Sequence, residues 1–490
     1  MYKRQYQSLL KSKRQQYHRQ IAQVLEERFT ETVETQPELV AHHYTEAGLI
    51  EQAIPYWQRA GERATQRSAH VEAISHLTKG LEVLKGLPDT LERTQQELVL
   101  QTTLGPVLMA TKGYAAPELE RVYTRAQELC QQVGETPQLF WVLTGLWVFY
   151  AMRAEHQTAR KLAEQLLSLA QSVQDPALLL MAHHALGCTL HFLGEVARAR
   201  AHQEQGIVLY NPQQHNPYTN PFASGSPVDL KVACLSYAAS ALFSLGYPDQ
   251  ALERSQEALT WAQELSHPYS LTYALHNAAS VHSLRREGQA AQERAEAVIA
   301  LSSEQGFAQF VAFGTLSRGG ALAQQGQVEE GIKQIRQGLT ALRATGTELA
   351  GTIYLAGLAA AYVRVGQIEE GLSMVAEALA LVDKTGERVV EAGLYVLKGW
   401  LLLARSGDNQ PEAEACFRQA IDIARRQSAK SLELRAVMSL SRLLQKQGKK
   451  EEARQMLAEI YGWFTEGFDT ADLQEAKALL EELEKTDEHV

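Results

Sequence analysis

Apolar and polar positions follow helical spacing along nearly the whole chain, and the pattern stops and restarts at a small residue about every 40 positions. In the second half the turn glycines are Gly246, Gly326, Gly366, Gly407 and Gly448, with Arg286-Glu287-Gly288 filling the gap between the first two. Glycine suits the left-handed backbone that ends a helix. Each unit therefore reads as helix A, a short turn, helix B and a polar break. The start of helix B carries a small residue, a bulky one four positions on, and a small one three further. Ala53/Trp57/Ala60, Ala73/Leu77/Gly80, Gly371/Val375/Ala378 and Ala413/Phe417/Ala420 show it clearly. Gly331/Ile335/Gly338, Ala251/Ser255/Ala258 and Ala453/Leu457/Ile460 show it more loosely. Small residues admit the neighbouring helix, and the bulky one fills the space between.

A period of this size predicts stacked units, since one hairpin cannot bury its own apolar face. The expected fold is all-α: an α-solenoid, a right-handed superhelix of about eleven hairpins. The spans are 36–61, 67–86, 91–134, 137–173, 176–210, 229–266, 269–305, 308–345, 349–385, 389–427 and 431–465. The expected organisation is a basic N-terminal helix or linker remnant at 1–35, a first repeat block at 36–210, a loop at 211–228, a second block at 229–465, and a capping helix and tail at 466–490. Pro212, Pro217, Pro221 and Pro227 rule out a helix across the loop. Leu473, Ala476, Leu479, Leu480 and Leu483 form one stripe on the capping helix.

Composition supports this picture. Hydrophobic residues make up 45% and charged residues 21%, as in folded chains, and helix formers dominate. The net charge of −10 disfavours nucleic acid as the main partner. The one basic stretch is Lys3, Arg4, Lys11, Lys13, Arg14 and Arg19, with no acid before Glu26. Cys130, Cys188, Cys234 and Cys416 form no CxxC pair, and the N-terminus is polar throughout, so a cytoplasmic location is expected. The apolar run Phe140–Met152 is too short for a membrane span, which needs about 20 residues, and reads as a buried helix.

The Trp, Leu-Gly and Tyr positions of helix A and the Ala and Phe positions of helix B resemble the tetratricopeptide-repeat family. The stretches QPELVAHHYTEAG, KGYAAPELERVYTRAQELC and IYGWFTEGFDTADLQEAKALLEEL further resemble the C-terminal region of bacterial signalling proteins. In those proteins an adenylate/guanylate cyclase domain precedes an AAA-like or STAND-type ATPase, and a tetratricopeptide array ends the chain. The resemblance implies a sensor or scaffold portion, with residues 1–35 similar to the segment joining ATPase to array. No GxxxxGK[ST] loop occurs here, so nucleotide hydrolysis and cyclase activity are not implied.

His184, Cys188 and His191 share one helical face and could offer ligands to zinc, but no fourth ligand accompanies them. Glu329–Glu330 and Glu369–Glu370 open B helices, where they complement the helix dipole. No catalytic residues, cofactor or metal are expected. Counting from the turn places His184, His191, Phe192, Phe243, Tyr273, His276, Phe313, Trp400 and Arg442 near the concave groove lined by A helices. The expected function is a non-catalytic protein-binding or sensor module regulating an attached ATPase or cyclase. Its partner would be a protein, a peptide or a small effector. A self-associating scaffold forming homo-oligomers, and the effector-sensing end of a STAND-type transcriptional regulator, are the alternatives.

Overall fold

The computed structural model describes residues 10–67, 69–134, 138–212 and 228–485. Among these it contains α-helices and a single 3-10 turn, with no strand. The chain forms two compact units, one ending at Phe149 and one beginning at Tyr150.

In the first unit, α1 (Lys11–Arg28) and the short α2 (Thr30–Thr35) lead into the hairpin α3 (Pro37–Ala47) and α4 (Ile50–Gln66). Gly48 closes α3 at φ +79°. Helix α1 packs on α3: His18 and His43 meet through their Nδ1 atoms at 2.7 Å, and the Glu26 carboxylate accepts from the hydroxyls of both Tyr44 and Tyr56. The span 67–86 holds one helix, α5 (His70–Leu84), instead of a pair. Helices α6 (Leu91–Lys112) and α7 (Pro117–Val133) form the next hairpin, and α8 (Gln138–Met152) follows. The Tyr123 ring lies between Gly105 and Gly145, where a Cβ at either position would overlap it. This is the expected logic of small residues admitting a bulky one.

The second unit alternates A and B helices. After α9 (His156–Val173) come the hairpins α10 (Pro176–Phe192)/α11 (Val196–Leu209), α12 (Leu230–Leu245)/α13 (Pro248–Leu265) and α14 (Pro268–Leu284)/α15 (Gly288–Gln305). Then follow α16 (Ala308–Gln324)/α17 (Val328–Ala344), α18 (Gly351–Arg364)/α19 (Ile368–Thr385), α20 (Glu391–Arg405)/α21 (Gln410–Arg426) and α22 (Lys430–Lys446)/α23 (Lys450–Tyr461). Helix α24 (Ala471–Glu484) ends the unit, burying Leu473, Ala476, Leu479 and Leu483.

The A-to-B turns repeat one device. Gly194, Gly246, Gly326, Gly366 and Gly448 all have positive φ, as does Arg286 at +66°. Thus Arg286, not Gly288, supplies the left-handed residue of its turn. Its guanidinium is held by Glu475 at 2.8 Å and Asp472 at 3.4 Å. Gly407 departs from the expected pattern: it opens a 3-10 turn, Gly407–Asn409, and the left-handed step is absent there. Asn409 instead donates its side-chain amide to the Leu402 carbonyl. Of the loop expected at 211–228, residues 213–227 lie outside the described residues, as do Lys3 and Arg4. Its exit is pinned by Asp229, which caps α12 at Val232 N–H and accepts from Tyr210 Oη at 2.6 Å and Trp261 Nε1 at 3.2 Å.

The second unit also curls back on itself. The last carbonyls of an α-helix have no partner within the helix. Here the final carbonyls of successive A helices accept bonds from residues far along the chain. Met152 accepts from the Glu348 and Leu349 N–H groups at 2.8 and 3.1 Å. Phe192 accepts from Arg388 and Val389 at 2.8 and 3.3 Å. Phe243 accepts from the Ser431 hydroxyl at 2.6 Å, and Leu284 from the Arg435 guanidinium at 2.6 Å. The seam ends where Glu466 caps α13, accepting from the Asp249 and Gln250 N–H groups at 2.9 and 3.1 Å. Beside it the buried Arg285 binds Asp249, Glu287 and Asp469 and donates to the Pro248 carbonyl.

Candidate functional site

The turn residue gives every A helix a common origin. Gly187, Gly319 and Gly399 lie against Gln203, Ile335 and Phe417 of their own B helices, which fixes the face turned inward to the hairpin. The positions six, nine, ten and thirteen residues before the turn form a second stripe, whose position ten still touches helix B, where Leu316 packs on Gly338 and His184 contacts Gln203. On α12 they are Ser240, Tyr237, Ser236 and Ala233; on α14, Ser280, Asn277, His276 and Tyr273. On α16 they are Gly320, Ser317, Leu316 and Phe313; on α18, Ala360, Gly357, Ala356 and Ile353. On α10 they are Cys188, Ala185, His184 and Met181. No charged residue occupies the stripe on these five helices.

Ring contacts join the stripe from helix to helix. His184 and His191 of α10 stand 6.0 and 5.5 Å from Tyr237 of α12, and Phe192 stands 6.1 Å from it. Tyr237 interacts with Tyr273 of α14 and with the Cys188 thiol. His276 stacks on Phe313 of α16 at 5.0 Å, and Phe313 stacks on Tyr354 of α18 at 6.2 Å. The stripe is closed over at α10, where His184 and His191 are buried, and opens toward α18. Tyr237, Tyr273, His276 and Tyr354 keep part of their surface, and Gly357 is exposed. A Cβ built at Gly320 or Gly357 meets nothing within 4 Å.

Burial sets the charge state of these groups. It lowers His184, His191 and His276 to about 4, so each imidazole is neutral at pH 7. It raises the Cys188 thiol to about 12 and the phenols of Tyr237 and Tyr273 well above the usual tyrosine value. The surface therefore carries hydrogen-bonding groups without charge. His184 contacts Gln203 at 3.4 Å, and Cys188 contacts Tyr237, so neither is poised as a metal ligand. Among the described residues no three His, Cys, Asp or Glu side chains converge to hold a metal ion.

The structure thus brings His184, His191, Phe192, Tyr273, His276 and Phe313 into one ring-to-ring series. Three other expected groove residues stand apart. Phe243 is buried at the seam, with the Arg435 guanidinium 5.6 Å over its ring. Trp400 is exposed on α20, beyond the joined series. Arg442 is paired with Glu475 at 3.5 Å. Sequence reasoning passed over Tyr237, Asn277, Gly320, Tyr354 and Gly357. All but Tyr354, which lies twelve positions before its turn, share the stripe's distances from the turn, so that count was the available signal. A separate cleft of about 240 Å³ lies over α11, α12 and α13. Its Arg254 is already neutralised by Glu204 and Glu257, at 3.2 and 2.9 Å.

Among the described residues, no helix is long and apolar enough to cross a membrane. No protein-family model matches the chain. An uncharacterized protein of Rhizobium meliloti (strain 1021) is 24% identical over 441 residues, covering 89% of this chain. The chain spans 42% of that relative's length. Similar solved structures include a Rap protein complexed with competence and sporulation factor, at TM-score 0.49 and 12% identity, covering 82% of this chain and 99% of that one. A Pyrococcus horikoshii STAND protein with a tetratricopeptide repeat sensor gives TM-score 0.38 and 15% identity, covering 81% and 66%. Yeast Tom70 gives TM-score 0.34 and 13% identity, covering 95% and 96%.

Proposed function

We propose that this chain is a non-catalytic recognition module and that its second unit holds a peptide or a segment of a partner protein along the A-helix stripe. The observation carrying this reading is the series of aromatic side chains from His184 through Tyr237, Tyr273, Phe310, His276 and Phe313 to Tyr354, which grades from a buried end into open space over Gly357. Aromatic side chains that keep part of their surface beside the open space at Gly357 suit the binding of apolar side chains. A display selection of random peptides tests it, with the Gly357→Leu variant as counter-screen. Peptides retained by the wild type and lost by the variant are expected. If no peptide distinguishes the two proteins, the reading fails.

The same helices carry the stripe and the seam. Helices α10, α12 and α14 present His191, Tyr237 and His276 on one face and end in the seam carbonyls of Phe192, Phe243 and Leu284. A ligand that shifts these helices changes the seam bonds, and the coupling acts equally in reverse. Joined to a signalling ATPase or cyclase, the module would pass that change on. The sensing end of a STAND-type regulator would work alike.

A second reading, self-association, is favoured by α1. Leu10, Tyr17, Ile21 and Val24 make an exposed apolar stripe along it. Sedimentation of the wild type and of Ile21→Lys would reveal any homo-oligomer held by that face.

A further inference from the structure

We infer that His183 and His202 form an acid-operated latch between α10 and α11, which holds the second half of α11 in place at neutral pH and releases it once both rings are protonated. The two imidazoles face each other across the hairpin. Their Nδ1 atoms are 2.9 Å apart and their ring centroids 5.1 Å apart, so the rings meet end to end. That arrangement is an N–H···N bond. One ring carries its proton on Nδ1 and donates; the other accepts and keeps its proton on Nε2. In a metal chelate both lone pairs would instead turn toward a third point. Both rings are half-buried, so solvent protons reach them.

The proton count gives the latch its sense. One added proton is tolerated, because an imidazolium still donates to a neutral neighbour. A second sets two N–H groups and two like charges against each other. Burial lowers both rings, and His202 is lowered further by His183 and by Arg198, one turn before it. The carboxylates on the surrounding helices are already committed. On α9, Glu164 is bound by Arg160 at 2.9 Å, and Lys161 is exposed. On α11, Glu195 is bound by Arg160 and Arg198, Glu204 is bound by Arg254 of α13 at 3.2 Å, and Arg200 lies over the Tyr247 ring. Helix α12 brings only Lys231, which lies over the Trp261 ring, and α10 adds His184 and His191, both neutral. The folded chain therefore takes up the second proton by parting the two helices, whereas unfolded imidazoles take it up near pH 6.5. The hold is complete above about pH 6.5 and is lost as pH falls.

The parts beside the latch show what it releases. Gln203, next to His202, packs against Gly187 and donates its amide to the His184 carbonyl. Gly206, one turn on, sits against the Cys234 sulfur of α12. Parting at His202 loosens both contacts and lets water reach His184. The latch works in this way whatever the stripe binds.

The test is amide hydrogen exchange of the full-length chain at pH 7.5, 6 and 5, with the pH dependence of free amides divided out. Helix α21, which contains no histidine, serves as the internal reference. Protection over 200–209 is expected to fall at least tenfold more than that of α21 between pH 7.5 and 5. His183→Gln and His202→Gln each keep a neutral hydrogen-bonding partner and cannot load the second charge, so either should abolish the extra fall. Wild-type protection of α21 at pH 7.5 confirms that the variants fold. A wild type in which 200–209 loses no more protection than α21 would overturn the latch without recourse to any variant. So would an extra fall that survives in either glutamine variant.

Discussion

Nε2 of His156 stands 3.5 Å from Oε2 of Glu387, and neither side chain has more than 1% of its surface exposed. His156 opens α9, while Glu387 lies in the connection between α19 and α20, so the contact crosses the seam of the second unit. The Glu387 carboxylate also accepts from the Thr352 hydroxyl, and the His156 ring stacks on Phe192 at 5.3 Å. The next residue, Arg388, donates its N–H to the Phe192 carbonyl. One buried cluster thus joins α9, α10, α18 and the α19–α20 connection.

Removing the carboxylate should open this point of the seam. Glu387→Ala leaves the Thr352 hydroxyl buried without its partner, and is expected to cost about 1–3 kcal/mol in urea unfolding. A loss below about 1 kcal/mol would show that the cluster does not hold the seam.

Arg285 is the anchor at the far end. Its side chain is 3% exposed and reaches Asp249, Glu287 and Asp469. Arg285→Ala should lower stability by about 3 kcal/mol and speed limited proteolysis between α23 and α24. Unchanged cleavage there would mean that Glu466, which caps α13, and Gly467, whose N–H donates to Asp249 Oδ2 at 2.8 Å, fasten the C-terminal segment without it.

Two helical glycines should respond in opposite directions to alanine. A Cβ at Gly399 would overlap the buried Phe417 ring, so Gly399→Ala is expected to cost about 1–3 kcal/mol. A Cβ at Gly357 meets open space, so Gly357→Ala should gain up to about 1 kcal/mol from helix propensity. Thermal unfolding of the pair decides it. Equal shifts would contradict the assignment of faces.

The desolvated imidazoles, two buried and His276 partly accessible, make stability depend on pH. His184, His191 and His276 have folded values of about 4 against 6.5 for the free side chain. Between those values the unfolded chain binds protons that the folded chain does not. Their contribution is therefore complete above about pH 6.5 and declines as pH falls toward 4, by up to about 1.4 kcal/mol per pH unit for each. Urea midpoints at pH 7.5, 6 and 5 measure the decline, and His276→Phe should make it shallower. A midpoint independent of pH over this range would contradict the burial of these rings.

The turns that were legible and those that were not differ for a physical reason. Gly246, Gly326, Gly366 and Gly448 were readable because a left-handed residue at a helix end selects glycine locally. Arg286 was not, because its ion pairs with Asp472 and Glu475 come from α24. Counting from the turn gives a residue's place along its helix, but that Phe243 ends at the seam, accepting from Ser431 with Arg435 over its ring, depends on residues about 190 positions away.

By itself the sequence determined the hairpins. Helical periodicity, small residues facing bulky ones and glycine turns are local demands, written in residue types a few positions apart. Only the tertiary structure decided how the second unit closes. The seam is built largely from main-chain carbonyls and N–H groups, at Met152 with Glu348 and Phe192 with Arg388, and every residue type carries those groups. Such a contact leaves no mark in the order of side chains, and it exists only once the accumulated angles between hairpins bring distant helix ends together.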